Sequence, residues 1–300
     1  MSSLVATRDR IVCFGDLAND VVVAPRAGIR ADTDTPSHIR HTAGGSAANT
    51  AAWLACLGAS VDMVGCVGTS DAELHADRLR SYGVTPHLEV AAGLETSTIV
   101  IIVEGERRTM LTDRGANRAL RDGQLTDALL DAAAILHLTG YNLIDGPREA
   151  GMRRMIERAH ERGIVVSMNP GSAGYVADYG VEAFVAATEE VDILIANSDE
   201  AALLAGTSDA AAATRRLADR HGIAVVTRGP GGVLFAERGK ELREIGVPAA
   251  RLVDPTGAGD AMAAGFLHSW RVERDLLRGA EAGILAAAQA IQVYGGRPPF

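Results

Sequence analysis

The sequence predicts an α/β fold in which a central, mostly parallel β-sheet is covered by helices and carries a small second β-sheet. Three observations predict it. Short apolar runs ending in Gly or a polar residue alternate with longer Ala/Leu-rich amphipathic stretches, the pattern of parallel strands joined by crossover helices. Two segments interrupt that rhythm with strand patterns and no helix between them. The length of 300 residues suits one large α/β unit with an insertion.

The strand candidates are IVCFG at 11–15, VDMVGCVG at 61–68, AILHLTG at 134–140, IVVSMNP at 164–170, DILIAN at 192–197 and AVVTRG at 224–229. Helices are expected at 46–57, 71–82, 122–131, 147–162, 180–187, 198–205, 209–221, 258–270 and 275–294. The Ala-rich SDAAAATRR at 208–216 belongs to one of them, because Ala has the highest helix propensity. The interrupting segments lie at roughly 17–42 and 92–118, and within the second TSTIVIIVEGERRTMLT reads as a hairpin turning at Glu104–Glu106. Together they predict a small sheet projecting from the main body, either a lid over a site or an ordinary edge hairpin. No internal repeat, low-complexity tract or linker divides the chain, so residues 1–300 are expected to form one domain.

Composition narrows the function. With 47% hydrophobic and 22% charged residues the chain can bury a sizeable core. A formal net charge of -9 excludes binding to nucleic acid through a broadly basic face. No apolar run approaches the roughly 20 residues that span a bilayer, and MSSLVATRDR lacks the basic-then-apolar layout of a signal peptide, so a cytoplasmic protein with no membrane partner is expected. Cys13, Cys56 and Cys66 are odd in number, sit in apolar surroundings and lack CxxC spacing, which makes them small core residues.

The strongest chemical feature is Asp254-Pro255-Thr256-Gly257-Ala258-Gly259-Asp260, followed by the helical AMAAGFLHSW. Glycines before a helix let its first N–H groups converge on an anion, and the helix dipole adds positive potential there. A carboxylate beside such a cradle supplies the base that a hydroxyl nucleophile needs, although an acid in a first helical turn also serves simply to complement the dipole. The second feature, Ala43-Gly44-Gly45-Ser46-Ala47-Ala48-Asn49, opens an apolar helix that ends at Gly58. Its glycines allow a ligand close to the backbone, and Asn49 offers a donor and an acceptor to a polyol. A GxxxxGK[ST] loop, the protein-kinase motif set and a GxGxxG after the first strand are all missing from the sequence. His41 and His137 have no metal-ligand spacing, and His137 on its apolar strand reads as a core histidine.

Taken together, AGGSAANTAAWLACLGASVDMVGCVG and DPTGAGDAMAAGF resemble the N- and C-terminal signatures of the PfkB, or ribokinase-like, carbohydrate kinases. DRGAN at 113–117, MNPGSA at 168–173, NSDEAALLAG at 197–206 and TRGPGG at 227–232 resemble the motifs between them, so the likeness covers nearly the whole chain. It implies a ribokinase-like three-layer fold with a β lid, and ATP-dependent phosphorylation of a primary hydroxyl on a sugar or nucleoside. It further implies that Asp260 is the catalytic base and that the N–H groups of Gly257, Ala258 and Gly259 stabilise the transferred phosphoryl group. Asn197 and Glu200 match an NxxE motif that organises Mg²⁺ through water, and without the resemblance they read as a helix cap and its first turn. Thr227, Gly229 and Gly232 align with a loop on the nucleotide phosphates. Asp254 matches an acid that in many relatives helps bind a monovalent cation such as K⁺, with carbonyls near Gly295 and Gly296.

On the acceptor side the resemblance points to Asp20, with Asp16 as the alternative, alongside Gly44, Gly45 and Asn49. Where ribokinase has Asn and Glu this chain has Ala18 and Thr139, which removes polar partners for ribose. Arg108, Asp113 and Arg114 lie in the lid segment and either reach an acceptor substituent or are solvated charges. Relatives commonly dimerise through the lid. A sugar kinase, a nucleoside kinase and a non-catalytic sugar- or nucleotide-binding homologue are the readings carried forward.

Overall fold

The computed structural model describes residues 8–104 and 107–299. In chain order its strands are β1 (Arg10–Phe14), β2 (Ala18–Pro25), β3 (Ser37–Gly44), β4 (Val61–Val67), β5 (Val84–Val90), β6 (Thr98–Glu104), β7 (Arg107–Asp113), β8 (Ala133–Thr139), β9 (Val165–Asn169), β10 (Ile193–Asn197), β11 (Ile223–Thr227), β12 (Val233–Glu237) and β13 (Arg243–Ile245). The helices are α1 (Ser46–Cys56), α2 (Ala72–Ser81), α3 (Asp127–Ala132), α4 (Tyr141–Ile144), α5 (Arg148–His160), α6 (Ala173–Tyr179), α7 (Val181–Ala187), α8 (Ser198–Ala205), α9 (Ala210–His221), α10 (Ala258–Glu273) and α11 (Leu276–Ala290).

Nine strands form the main sheet in the order β13-β12-β11-β10-β9-β8-β1-β4-β5. All its pairs are parallel except β11–β12 and β12–β13. Alternation along the strands sends side chains to two separate cores. Val12, Phe14, Leu136 and Leu138 pack on one face with Met155 of α5 and Leu217 of α9. Ile11, Cys13, Ile135 and Ile193 pack on the other with Trp53 of α1 and Phe266 of α10. Burial on both faces is why these strands read as continuous apolar runs, and it makes the body three layers thick. The other four strands, β3-β2-β6-β7, form the small sheet.

All six expected body strands are present with ends shifted by a residue or two, and both interrupting segments supply the small sheet. The hairpin turn expected at Glu104–Glu106 and the side chain of Arg108 fall outside the described residues. β5, β12, β13, α4 and α6 were not expected. The helix expected at 122–131 is divided: Asp122–Gln124 forms a 3₁₀ turn, and Thr126, whose side chain accepts from the Leu129 amide, caps a fresh start at α3. Cys13 and Cys66 are buried as expected, whereas Cys56 at the end of α1 is exposed because that position faces away from the sheet. None of the described helices is long and apolar enough to cross a membrane.

Candidate active site

The carboxyl ends of the parallel strands open onto a cavity of about 600 Å³. It is lined by Asp16 beyond β1, Tyr141 beyond β8, and Asn169, Asn197 and Thr227 at the ends of β9, β10 and β11. In a doubly wound sheet this is where loops diverge and leave room for a ligand. Ile99, Ile101, Met110 and Thr112 of the small sheet form another wall. The small sheet therefore stands over the cavity as a lid.

Asp260 lies at the centre of the polar contacts. Ser46 Oγ donates to its Oδ1 at 2.6 Å and Asn49 Nδ2 to its Oδ2 at 2.9 Å. Both donors come from the first turn of α1, and Asp260 is in the first turn of α10, so two helix N-termini converge on one carboxyl group. α8 also begins at the cavity, with Asn197. The start of α10 has no side-chain cap and makes the favourable setting for an anion among these three. Burial raises the Asp260 carboxyl to about 7 against the opposing pull of Ser46 and Asn49, and the charges of Asp16 and Asp20 raise it further.

The turn before α10 is built on Gly257. Its φ of 76° is left-handed, and a Cβ there would meet the backbone of Gly296 at 2.4–2.9 Å. The Ala258 amide is already engaged by Pro255 O at 3.2 Å, so of the three N–H groups expected to face a phosphoryl group this one holds a turn instead. Gly257 and Gly259 line the cavity, and Ala258 does not.

Asp16 and Asp20 take different places. Asp16 caps α1, its Oδ2 accepting from the Ser46 amide at 2.7 Å and its Oδ1 from the Ala47 amide at 3.3 Å and from Thr139 Oγ1 at 3.2 Å. Thr139 thus holds Asp16 at the base of the site. Gly45 has φ 94° there, where a Cβ would strike Asp16 O at 2.4 Å. Asp20 projects from β2 and is buried, with no hydrogen-bond partner for Oδ1 among the described residues. Burial raises it to about 7 despite the nearby charge of Arg297, with Asp16 and Asp254 adding to the rise. Its carboxylate lies directly over Gly44, where a Cβ would come within 2.2 Å of it. Gly44 supports the site from beneath and does not line the cavity.

At the opposite end Asn197 and Glu200 form a reciprocal cap: Asn197 Oδ1 accepts from the Asp199 and Glu200 amides, and Glu200 Oε2 accepts from the Asn197 amide. Glu200 nevertheless faces the cavity, and burial raises its carboxyl to about 7. Thr227 lines the cavity, whereas Gly229 and Gly232 lie beyond its lining. Asp254 also lies outside it. Its Oδ1 accepts from Thr256 N and Oγ1, and its Oδ2 from the Gly295 amide, so it staples the segment after α11 to the turn before α10. Among the described residues no three His, Cys, Asp or Glu side chains cluster as metal ligands. His137 is buried against Ser167 Oγ at 2.9 Å, and burial lowers it to about 4, keeping it neutral in the core.

Several residues of the site were not expected. Ser46 stands inside the GGSAAN stretch, and its hydroxyl is the signal that could have marked it. Arg297, buried behind the cavity lining, donates from Nη2 to Gly44 O at 3.2 Å, and its Nε and Nη1 have no hydrogen-bond partner among the described residues. Nothing in its sequence context marks it. Asn169 presents a buried Oδ1 at the cavity with no hydrogen-bond partner among the described residues, and Tyr141 and Tyr175 add aromatic surface.

Residues 8–300 match the model of the pfkB family carbohydrate kinases. An ATP-dependent ribose-1-phosphate kinase from Halopiger xanaduensis is 32% identical over 256 residues, 81% of this chain and 78% of the relative. Adenosine kinase from Sinorhizobium meliloti superposes with a TM-score of 0.87 at 28% identity, covering 98% of this chain and 97% of that one. A chain from E. coli provisionally assigned as ribokinase II, solved with ATP and Mg²⁺, shares the fold with a TM-score of 0.85 at 18% identity, over 96% of this chain and 94% of that one. A lidded α/β body, strand ends that gather its polar residues, and a family match along the described length lead to one conclusion: the chain is a sugar or nucleoside kinase belonging to the pfkB family of carbohydrate kinases.

Proposed function

We propose that the chain transfers the terminal phosphoryl group of ATP to a hydroxyl of a sugar or sugar-like molecule, with Asp260 as the base. The observation that carries this reading is the Asp260 carboxylate, fixed at both oxygens by Ser46 and Asn49 and set in the first turn of α10 behind Gly257 and Gly259. In its ionised form Asp260 takes the proton as the acceptor oxygen attacks phosphorus in line, and the bond to the leaving diphosphate oxygen breaks. The amides of Gly257 and Gly259 and the start of α10 stabilise the negative charge on the phosphoryl oxygens. Asp20, Gly45, Asn49 and the buried Oδ1 of Asn169 supply polar partners for acceptor hydroxyls. Ile99, Ile101 and Met110 of the lid exclude water, which would otherwise be phosphorylated in place of the acceptor.

A divalent metal suits the nucleotide end on the donor set present. Glu200 is a single buried carboxylate at the cavity wall, fitting Mg²⁺, which keeps several waters and takes its remaining ligands largely from substrate phosphates. When bound it neutralises phosphate charge. Asp254 is proposed to hold the segment around Gly295 in place, and its role toward K⁺ stays a proposal carried by the family resemblance alone.

ADP release measured across neutral sugars, sugar phosphates, sugar acids and nucleosides tests the reading, the matched relatives placing ribose 1-phosphate and adenosine on the panel. Acceptor-stimulated ADP is expected with at least one class, and Asp260→Asn should lower kcat by about 10²–10⁴-fold with the acceptor KM little changed. Tight ligand binding with no acceptor-stimulated ADP would sink the kinase reading in favour of a non-catalytic binding protein.

A further inference from the structure

We infer that the acceptor carries an anionic group, a phosphate monoester or a carboxylate, and that Arg114 receives it. The inference rests on the kinase reading and names the substrate class of the same cavity. Arg114 follows β7 at the root of the lid, and its side chain lines the cavity that holds Asp260. It is only 11% exposed. Its Nη1 donates to Asp145 Oδ2 at 2.8 Å, and the guanidinium lies 4.2 Å from the centre of the Tyr175 ring and 5.1 Å from that of Tyr141. Asp145 and the two rings fix the plane of the group. Its Nη2 is buried and has no hydrogen-bond partner among the described residues. A buried N–H of a charged group is costly to leave idle, and a planar arginine fork with one donor free matches the geometry of a carboxylate or phosphate.

The surroundings favour an anion over a neutral hydroxyl. A second cavity of about 580 Å³ shares Arg114 and is lined also by Asp145, Arg118, Arg121, Arg148, Arg154 and Asp122. Five arginines therefore face two aspartates in a chain whose formal net charge is -9. Asp122 is taken up by Arg154 through two bonds of 2.8 and 2.9 Å, while the guanidinium groups of Arg118 and Arg148 make no hydrogen bond among the described residues. Asp145 engages only Nη1 of Arg114, which leaves the Nη2 side of the fork to a ligand. The polar groups suited to hydroxyls, Asn49 of α1, Asp20 of β2 and Asn169 of β9, line the same cavity as Asp260. Positive potential focused behind a desolvated arginine also draws charged acceptors into the cleft.

Initial rates should be measured with matched probes: ribose against ribose 1-phosphate and ribose 5-phosphate, fructose against fructose 6-phosphate, and glucose against gluconate, with adenosine as a further neutral acceptor. A charged member is expected to exceed its neutral partner in kcat/KM by about 100-fold or more, and the phosphate and carboxylate arms identify the anion. Arg114→Gln should collapse that ratio by roughly 100-fold, the loss appearing in the KM for the charged acceptor rather than in the KM for ATP. Arg114→Lys, which keeps the charge and loses the fork, should recover only part of it. Neutral acceptors outrunning their charged partners would overturn the inference, as would an Arg114→Gln loss that falls on ATP or equally on both members of a pair. If Arg114→Gln does not fold, the wild-type ratios still decide. If no probe yields ADP, the kinase reading fails, and calorimetry of the same charged probes with wild-type and Arg114→Gln protein tests the anion site independently.

Discussion

A serine hydroxyl 2.6 Å from the proposed base opposes the rise in proton affinity that burial imposes on it. Because Asp260 is raised to about 7, the ionised form grows as pH rises, and kcat/KM should climb through that region before levelling. The bond from Ser46 favours the charged carboxylate, so Ser46→Ala should move this limb to higher pH and lower the rate at pH 7 by about 3- to 10-fold, with recovery at pH 9. A pH–rate profile of the two proteins checks this, and a uniform loss at every pH would count against it. At this scale the motifs marked Gly257, Gly259, Asp260, Gly45 and Asn49 because chemistry and backbone geometry restrict those positions. Ser46 carried a signal, its hydroxyl inside the glycine motif, whereas Asn169 and Arg297 were illegible. Their importance comes from partners far away in sequence, and a lone polar residue carries no trace of such a partner.

Elements were more legible than their contacts. Strands buried on both faces declare themselves as apolar runs, which is why β1, β4 and β8–β11 could be located. β5, VTPHLEV, sits at the sheet edge, where Pro86 and His87 are tolerated and alternation is partly exposed, so its pattern is weak. β12 and β13 lie near the other edge and are only five and three residues long. The turn before α10 was readable from its glycines, although the reason for Gly257 needed the structure: the left-handed φ and the contact with Gly296 act together. Gly257→Ala should cost about 2–4 kcal/mol in urea unfolding and depress turnover, whereas Gly58→Ala, with similar φ but open space at Cβ, should cost only about 1–2 kcal/mol.

Across the molecule, burial raises the proton affinity of several carboxyl groups: Asp20, Glu200 and Asp260 of the cavity to about 7, and Asp145 of the neighbouring cavity to about 6. Each binds its proton more tightly folded than unfolded, so its contribution to stability is full below the unfolded value near 4 and fades as pH rises through 7. Buried His75, His137 and His221, lowered to about 4, act in the opposite sense below their usual range, so the mutant difference is the clean readout. Asp260→Asn should therefore stabilise the ligand-free protein by about 2 kcal/mol at pH 8 and by much less at pH 5, as thermal denaturation at the two pH values would show. A stability gain from removing the base would mark a site kept strained for its chemistry. The two bonds to Asp260 also carry a consequence in time. Ser46 and Asn49 are 214 and 211 residues from it in sequence, and Trp53 of the same helix donates to Gly296 O across 243. Closing loops of that length is slow compared with forming local helices and hairpins, so a refolding chain regains most of its secondary structure while still inert, and phosphoryl-transfer competence is among the last properties it recovers.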